Sequence, residues 1–160
     1  MHAGRMMLVP RVLFPLIAAA LVIGCAADKV TAPPNGYQYA AATFSCGPAD
    51  GPAIRIYFSP TPTTTTQPST PYLGVSVWQS VAALSGREWS LASGSADGFA
   101  WFQLTAANQE VATSGTLTVT SVSTDNQIEG TVDVTFPSAG HVRSAFKATW
   151  IPSPPGVLCG

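Results

Sequence analysis

Apolar residues in this chain recur at every second position in stretch after stretch, and that period belongs to a strand with one face on a core and the other toward solvent. Ile54, Ile56 and Phe58 alternate with Arg55 and Tyr57, and Leu73, Val75 and Val77 alternate with Gly74, Ser76 and Trp78. Trp89 and Leu91 flank Ser90 in a shorter run, and Leu117 and Val119 alternate with Thr116, Thr118 and Thr120. Ile128, Val132, Val134 and Phe136 oppose Glu129, Thr131, Asp133 and Thr135; Val142, Phe146, Ala148 and Trp150 oppose Arg143, Ala145, Lys147 and Thr149. Residues 99–104 are apolar on both parities, as in a strand covered on both faces. A period of 3.6 is far rarer, and Val81-Ala82-Ala83-Leu84 suffices for one helical turn only.

Counting these segments gives seven or eight strands in antiparallel succession, so the expected fold is a single all-β domain, either a sandwich or a small barrel. Only 9% of the chain is charged, and the recurrence of threonine, serine, glycine and valine also favours extended structure. Thr124 to Gln127 and Pro137 to Gly140 supply turn chemistry, and Gly94-Ser95-Ala96-Asp97-Gly98 reads as a hairpin turn. Pairing Phe136 with Val142 would align the inward residues and set Asp133 and Glu129 diagonal to Arg143 and Lys147, a solvated face of weak ion pairs. Gly130, on the inward parity, predicts a bulge or the close approach of an aromatic ring. The four prolines and the threonine run of residues 59–71 forbid a central strand and predict an exposed connecting loop.

Few constellations for chemistry are present in the sequence. His2 precedes the domain and leaves His141 at the mouth of the last hairpin, a surface histidine with no spacing that selects a nucleophile or an acid for a Ser-His-Asp arrangement. Glu88, Asp97, Glu110 and Asp133 are candidates for a pair of catalytic carboxylates by elimination only. No phosphate-cradling or dinucleotide pattern is present, no cofactor is expected, and no cluster of His, Cys or acids has metal-ligand spacing. A basic stripe for nucleic acid is absent. Tyr57 and Trp78 fall on the outward parity of neighbouring strands, where they form either a second covered layer or a platform for sugars or apolar partners.

The N-terminal segment carries Arg5 and Arg11 and no acid, followed from Val12 to Gly24 by an apolar stretch well short of the ~20 residues that span a bilayer. With Pro15 inside it, the stretch reads as a secretory signal. Val22-Ile23-Gly24-Cys25 resembles the lipobox of bacterial lipoproteins. The resemblance implies removal of residues 1–24, lipidation of the Cys25 sulfur, a flexible tether over residues 25–36 and a β-domain over residues 37–160. Ala26 in place of an aspartate implies the outer membrane of a Gram-negative host, facing the periplasm or the cell surface. With Cys25 assigned to lipid, Cys46 and Cys159 form an even pair in an oxidising compartment and are expected to be disulfide-bonded; the alternative is two free thiols.

Gly115 to Thr120, followed by Glu129 to Val134, is similar to a pattern met in many bacterial lipoproteins with small β-domains. Ser93-Gly94-Ser95 resembles the inhibitory loop of lipoprotein lysozyme inhibitors. The functional expectation is a lipid-anchored cell-envelope protein that is not an enzyme and that presents a β-surface to an envelope protein or glycan. The rivals are a small periplasmic hydrolase and an inhibitor of a secreted hydrolase.

Overall fold

The structure, a computed structural model, describes residues 37–153 and Cys159. The segments expected to be a signal and a tether, and Cys25, the expected lipidation site, lie outside the described residues. The strands are β1 (Tyr39–Cys46), β2 (Pro52–Ser59), β3 (Tyr72–Val77), β4 (Arg87–Ser90), β5 (Gly98–Thr105), β6 (Asn108–Val111), β7 (Ser114–Val122), β8 (Ile128–Phe136) and β9 (Gly140–Trp150). They form one nine-stranded sheet in the order β4-β7-β8-β9-β1-β2-β3-β5-β6, curled into a half-barrel.

The all-β expectation holds, with two differences of detail. Strands β4 and β6 each have four residues, and the polar Asn108-Gln109-Glu110 run of β6 carries no apolar alternation by which to recognise it. The succession is also not wholly antiparallel, because β1 and β9 run parallel with Ala40 opposite Ala148 and Ala42 opposite Trp150. These strands are the first and last of the domain, so no short connection dictates their relative direction. Beyond β9, Ile151 donates its amide to the Ala42 carbonyl at 2.7 Å and prolongs the pairing.

Alternating residues of every long strand meet on the concave side. Ile54, Ile56 and Phe58 of β2 are at most 1% exposed there, with Leu73, Val75, Val77, Leu117, Val119, Ile128, Val132 and Val134. Phe146 meets Phe58 edge-on at 5.2 Å, and Phe102 lies 6.2 Å from Phe136. Gly130 sits opposite Val119 where β7 carries a register shift, and a Cβ on it would fall 2.1 Å from the Thr118 carbonyl oxygen and 3.2 Å from the Phe146 ring. A bulge and an approaching ring therefore meet at this glycine.

The last hairpin is tighter than the sequence suggested. Phe136 pairs with Gly140 rather than with Val142, because Gly140 takes φ +77° and closes a three-residue loop. That two-residue change puts Asp133 directly opposite Arg143 and Glu129 directly opposite Lys147. The segment from Gly94 to Gly98 is likewise not a hairpin, since β4 pairs with β7 while β5 pairs with β3 and β6. It is a crossover whose side chains cap a strand edge. Asp97 Oδ2 accepts the Ser90 amide at 3.0 Å, and the Ser95 hydroxyl donates to the Ser90 carbonyl at 3.1 Å. Backbone groups that could recruit another strand are thereby occupied.

The chain between β6 and β7 ties the ends of the sheet together. Ala112 donates to the Ala100 carbonyl of β5 and the next residue, Thr113, donates to the Thr135 carbonyl of β8, each at 2.9 Å. Glu110 adds a side-chain clasp, its two carboxylate oxygens accepting the amides of Ser138 and Ala139 in the β8–β9 turn.

Candidate functional site: an aromatic strip on the outer face

The convex side of β2, β3 and β5 carries the residues left over by the core pattern, and they are unusually aromatic. Tyr57 meets Tyr72 edge-on at 5.5 Å and Trp101 edge-on at 6.0 Å; Trp101 lies 5.1 Å from Phe99, and Phe99 lies 6.4 Å from Trp78. The five rings form one continuous strip. Its axis is made possible by Gly74, which faces Trp101 across the β3–β5 ladder and leaves room for the indole.

The strip is closed at one end and open at the other. At the closed end the proline- and threonine-rich loop packs down, burying Pro68 and donating from Gln67 Nε2 to the Tyr72 hydroxyl at 2.7 Å. Tyr57 and Tyr72 are 3% and 2% exposed. Tyr57 is therefore part of a second, covered layer and not itself an exposed platform. Burial pushes its hydroxyl above the ordinary tyrosine value, partly offset by the Arg55 guanidinium beside it. The open end holds Trp78 and Phe99, both half-buried, with Trp78 lying against Gly47 next to the disulfide corner.

Arg55 belongs to the open end. It lies in register between Thr43 of β1 and Ser76 of β3, both buried, and its guanidinium stands 5.9 Å over the Trp101 ring. Its Nε is buried and, among the described residues, has no hydrogen-bond partner. Among the described residues the ion pairs are His141–Asp133, Arg143–Asp133 and Lys147–Glu129, and Arg55 enters none of them.

Cys46 and Cys159 are joined, with Cα atoms 5.5 Å apart across a sequence separation of 113. Tyr57 and Trp78 do not touch; Trp101 and Phe99 connect them. Sequence reasoning passed over these last two and Arg55, although the odd-numbered positions of β5 share the outward parity of Tyr57 and could have flagged Phe99 and Trp101.

The four acids named by elimination do not gather into a pair. Glu88 accepts the Thr118 hydroxyl at 3.3 Å, Asp97 caps Ser90, and Glu110 clasps the β8–β9 turn beside a cleft of 220 Å³ lined by Phe102, Leu104, Asn108 and Ala139. Asp133 Oδ1 lies 2.6 Å from His141 Nε2, with Arg143 Nε at 3.7 Å from its other oxygen. The sequence register hid this contact, because it set His141 two positions away from where the tight turn brings it. Among the described residues no group of three or more His, Cys, Asp or Glu is placed to hold a metal ion. In the crossover loop Ser93 and Gly94 are exposed, whereas the Ser95 hydroxyl is committed to Ser90.

The chain matches no protein-family model, and neither the curated proteins nor the solved structures contain a significant match to it.

Proposed function

We propose that this is a lipid-anchored cell-envelope protein whose β-domain is a non-enzymatic binding module, with the open end of the aromatic strip as the surface it presents. The observation that carries the reading is the outer face itself. The concave core already closes the sheet, yet the opposite face of β2, β3 and β5 holds five aromatic rings and an arginine that has no carboxylate partner among the described residues. Half-buried Trp78 and Phe99, on the same strip as that cation, suit recognition better than stabilisation.

The envelope address rests on the resemblance of Val22-Ile23-Gly24-Cys25 to a lipobox. The pairing of Cys46 with Cys159 supports it twice over: a disulfide fits an oxidising compartment, and Cys25 is the one cysteine left for lipid. Anchoring is tested by detergent partitioning of the protein made with and without Cys25→Ser. The wild type should enter the detergent phase and the variant should not; equal partitioning refutes the anchor.

Binding is tested by capture from envelope extracts, where a component held by the wild type should be lost with Trp78→Ala. The rival reading, a small hydrolase, is favoured by one observation, the His141–Asp133 contact. Turnover of an envelope polymer that disappears with Asp133→Asn would replace the binding module by that rival.

A further inference from the structure

Resting on the binding-module reading, the geometry points to a ligand class for the open end of the strip: a glycan bearing an isolated carboxylate, held by Arg55 and stacked on Trp78 and Phe99. Arg55 is a permanent cation on a chain of formal net charge −1, and among the described residues no acid faces it within ion-pair distance. Its side chain is already ordered, lying over Trp101 between two buried hydroxyl residues. Little freedom is left to lose when an acceptor arrives, which is what makes a preformed site economical.

The buried Nε narrows the chemistry. Closed to solvent, it leaves an incoming ligand the two terminal nitrogens of the guanidinium, whose parallel N–H groups form a fork that matches the two oxygens of a carboxylate. Partial burial of the Arg55 side chain disfavours the fully hydrated approach of a mobile counterion and favours a ligand that brings its own apolar surface. Trp78 and Phe99 receive that surface, since the C–H face of a sugar ring is apolar and fits against an aromatic plane while its hydroxyls stay in water. A single arginine on an acidic chain does not suit a dense polyphosphate, which calls for a row of cations. One carboxylate per two or more sugars does.

The probe is an oligosaccharide alternating glucuronate with N-acetylglucosamine, with a control in which each carboxylate is reduced to an alcohol. Binding to the full-length mature chain in detergent is followed by tryptophan fluorescence, because Trp78 and Trp101 both adjoin the site. The wild type should give a saturable change. Arg55→Gln, Trp78→Ala or use of the reduced oligosaccharide should each weaken it by about tenfold or more, the scale of one charge-assisted hydrogen-bonded contact. Arg55→Lys, which keeps the charge and loses the fork, should fall between, and thermal melting checks that every variant is folded.

Absence of a saturable change with folded wild type, equal affinity for the reduced oligosaccharide, or wild-type affinity in folded Arg55→Gln would each overturn the inference. Inorganic phosphate binding with the same Arg55 dependence, and no uronate binding, would overturn the carboxylate assignment. If the uronate test fails while envelope capture still depends on Trp78, the inference falls and the binding-module reading stands. If both fail, that reading falls with it.

Discussion

Trp101 fills the space that a side chain on Gly74, its direct cross-strand partner, would occupy: a Cβ there would lie 2.3 Å from Cζ2 of the indole. Glycine in the interior of β3 sacrifices strand propensity and gains the placement of a large ring across the sheet. The same placement puts Trp101 in contact with Tyr57, Phe99 and Arg55 at once. The glycine is thus the keystone of the outer layer.

Gly74→Ala should therefore destabilise the domain by about 1–3 kcal/mol, the usual cost of overpacking a filled site. Equilibrium denaturation gives the magnitude, and near-ultraviolet circular dichroism should show the aromatic strip disturbed. Full stability with an unchanged aromatic spectrum would mean that Trp101 has another resting place.

The sheet was legible in the sequence because its inner face is apolar and its strands are long enough to show a period of two. Ile54, Ile56, Phe58 and Leu73, Val75, Val77 announce both strand type and face, and all are buried on the concave side. What the period cannot carry is order and direction. The parallel β1–β9 pair joins residues more than a hundred positions apart, and local alternation is silent on such contacts. Register failed at the last hairpin for a nearby reason, since a glycine able to take positive φ shortens a loop that composition alone leaves longer. Tyr57 and Trp78 marked the outer face of the sheet, but covered and open ends of that face differ only by where the distant loop of residues 59–71 packs.

The bond between Cys46 and Cys159 closes almost the whole domain into one ring, and its stabilisation acts chiefly by restricting the unfolded chain. For a separation of 113 residues the chain-entropy argument gives about 4–5 kcal/mol as an upper figure. The paired variant Cys46→Ala with Cys159→Ala should lose stability on that scale in denaturant titration and yet keep its fold. The tail is also fastened by Ile151 to Ala42 and by the Ser153 hydroxyl donating to the Phe44 carbonyl at 3.1 Å. An unchanged denaturation midpoint would show that the unfolded chain is not expanded enough for the crosslink to matter.

Glu129 and Lys147 face each other across β8 and β9 with a 2.8 Å contact, and the lysine holds the Glu129 carboxyl below its ordinary value of 4.5, mainly through that hydrogen bond. A depressed carboxyl stabilises the fold above its unfolded-state value and loses that contribution as pH falls through the lower folded value. Titration of the Glu129 carboxyl by nuclear magnetic resonance should therefore give a midpoint below that of an ordinary glutamate. In Lys147→Met the midpoint should rise toward the ordinary value. No rise would assign the depression to the Ser121 hydroxyl instead, which also contacts Glu129.

Glu110 closes the remaining gap at the sheet's end. Both of its oxygens accept amides from the β8–β9 turn, so the side chain holds a four-residue edge strand against an element it does not pair with. Glu110→Ala removes the acceptors and leaves two amides to water, at a cost of about 1–2 kcal/mol for partly exposed bonds to a charged group. The loss should be local. Hydrogen exchange at Ser138 and Ala139 should quicken and β6 should fray from β5, while amides of β1 and β2 keep their protection. Glu110→Gln, which retains a single acceptor, should fall between the two. Uniform loss of protection across all strands would instead make the clasp a condition for the whole sheet to curl, because Ala112 and Thr113, which bond β5 and β8, follow within three residues of it.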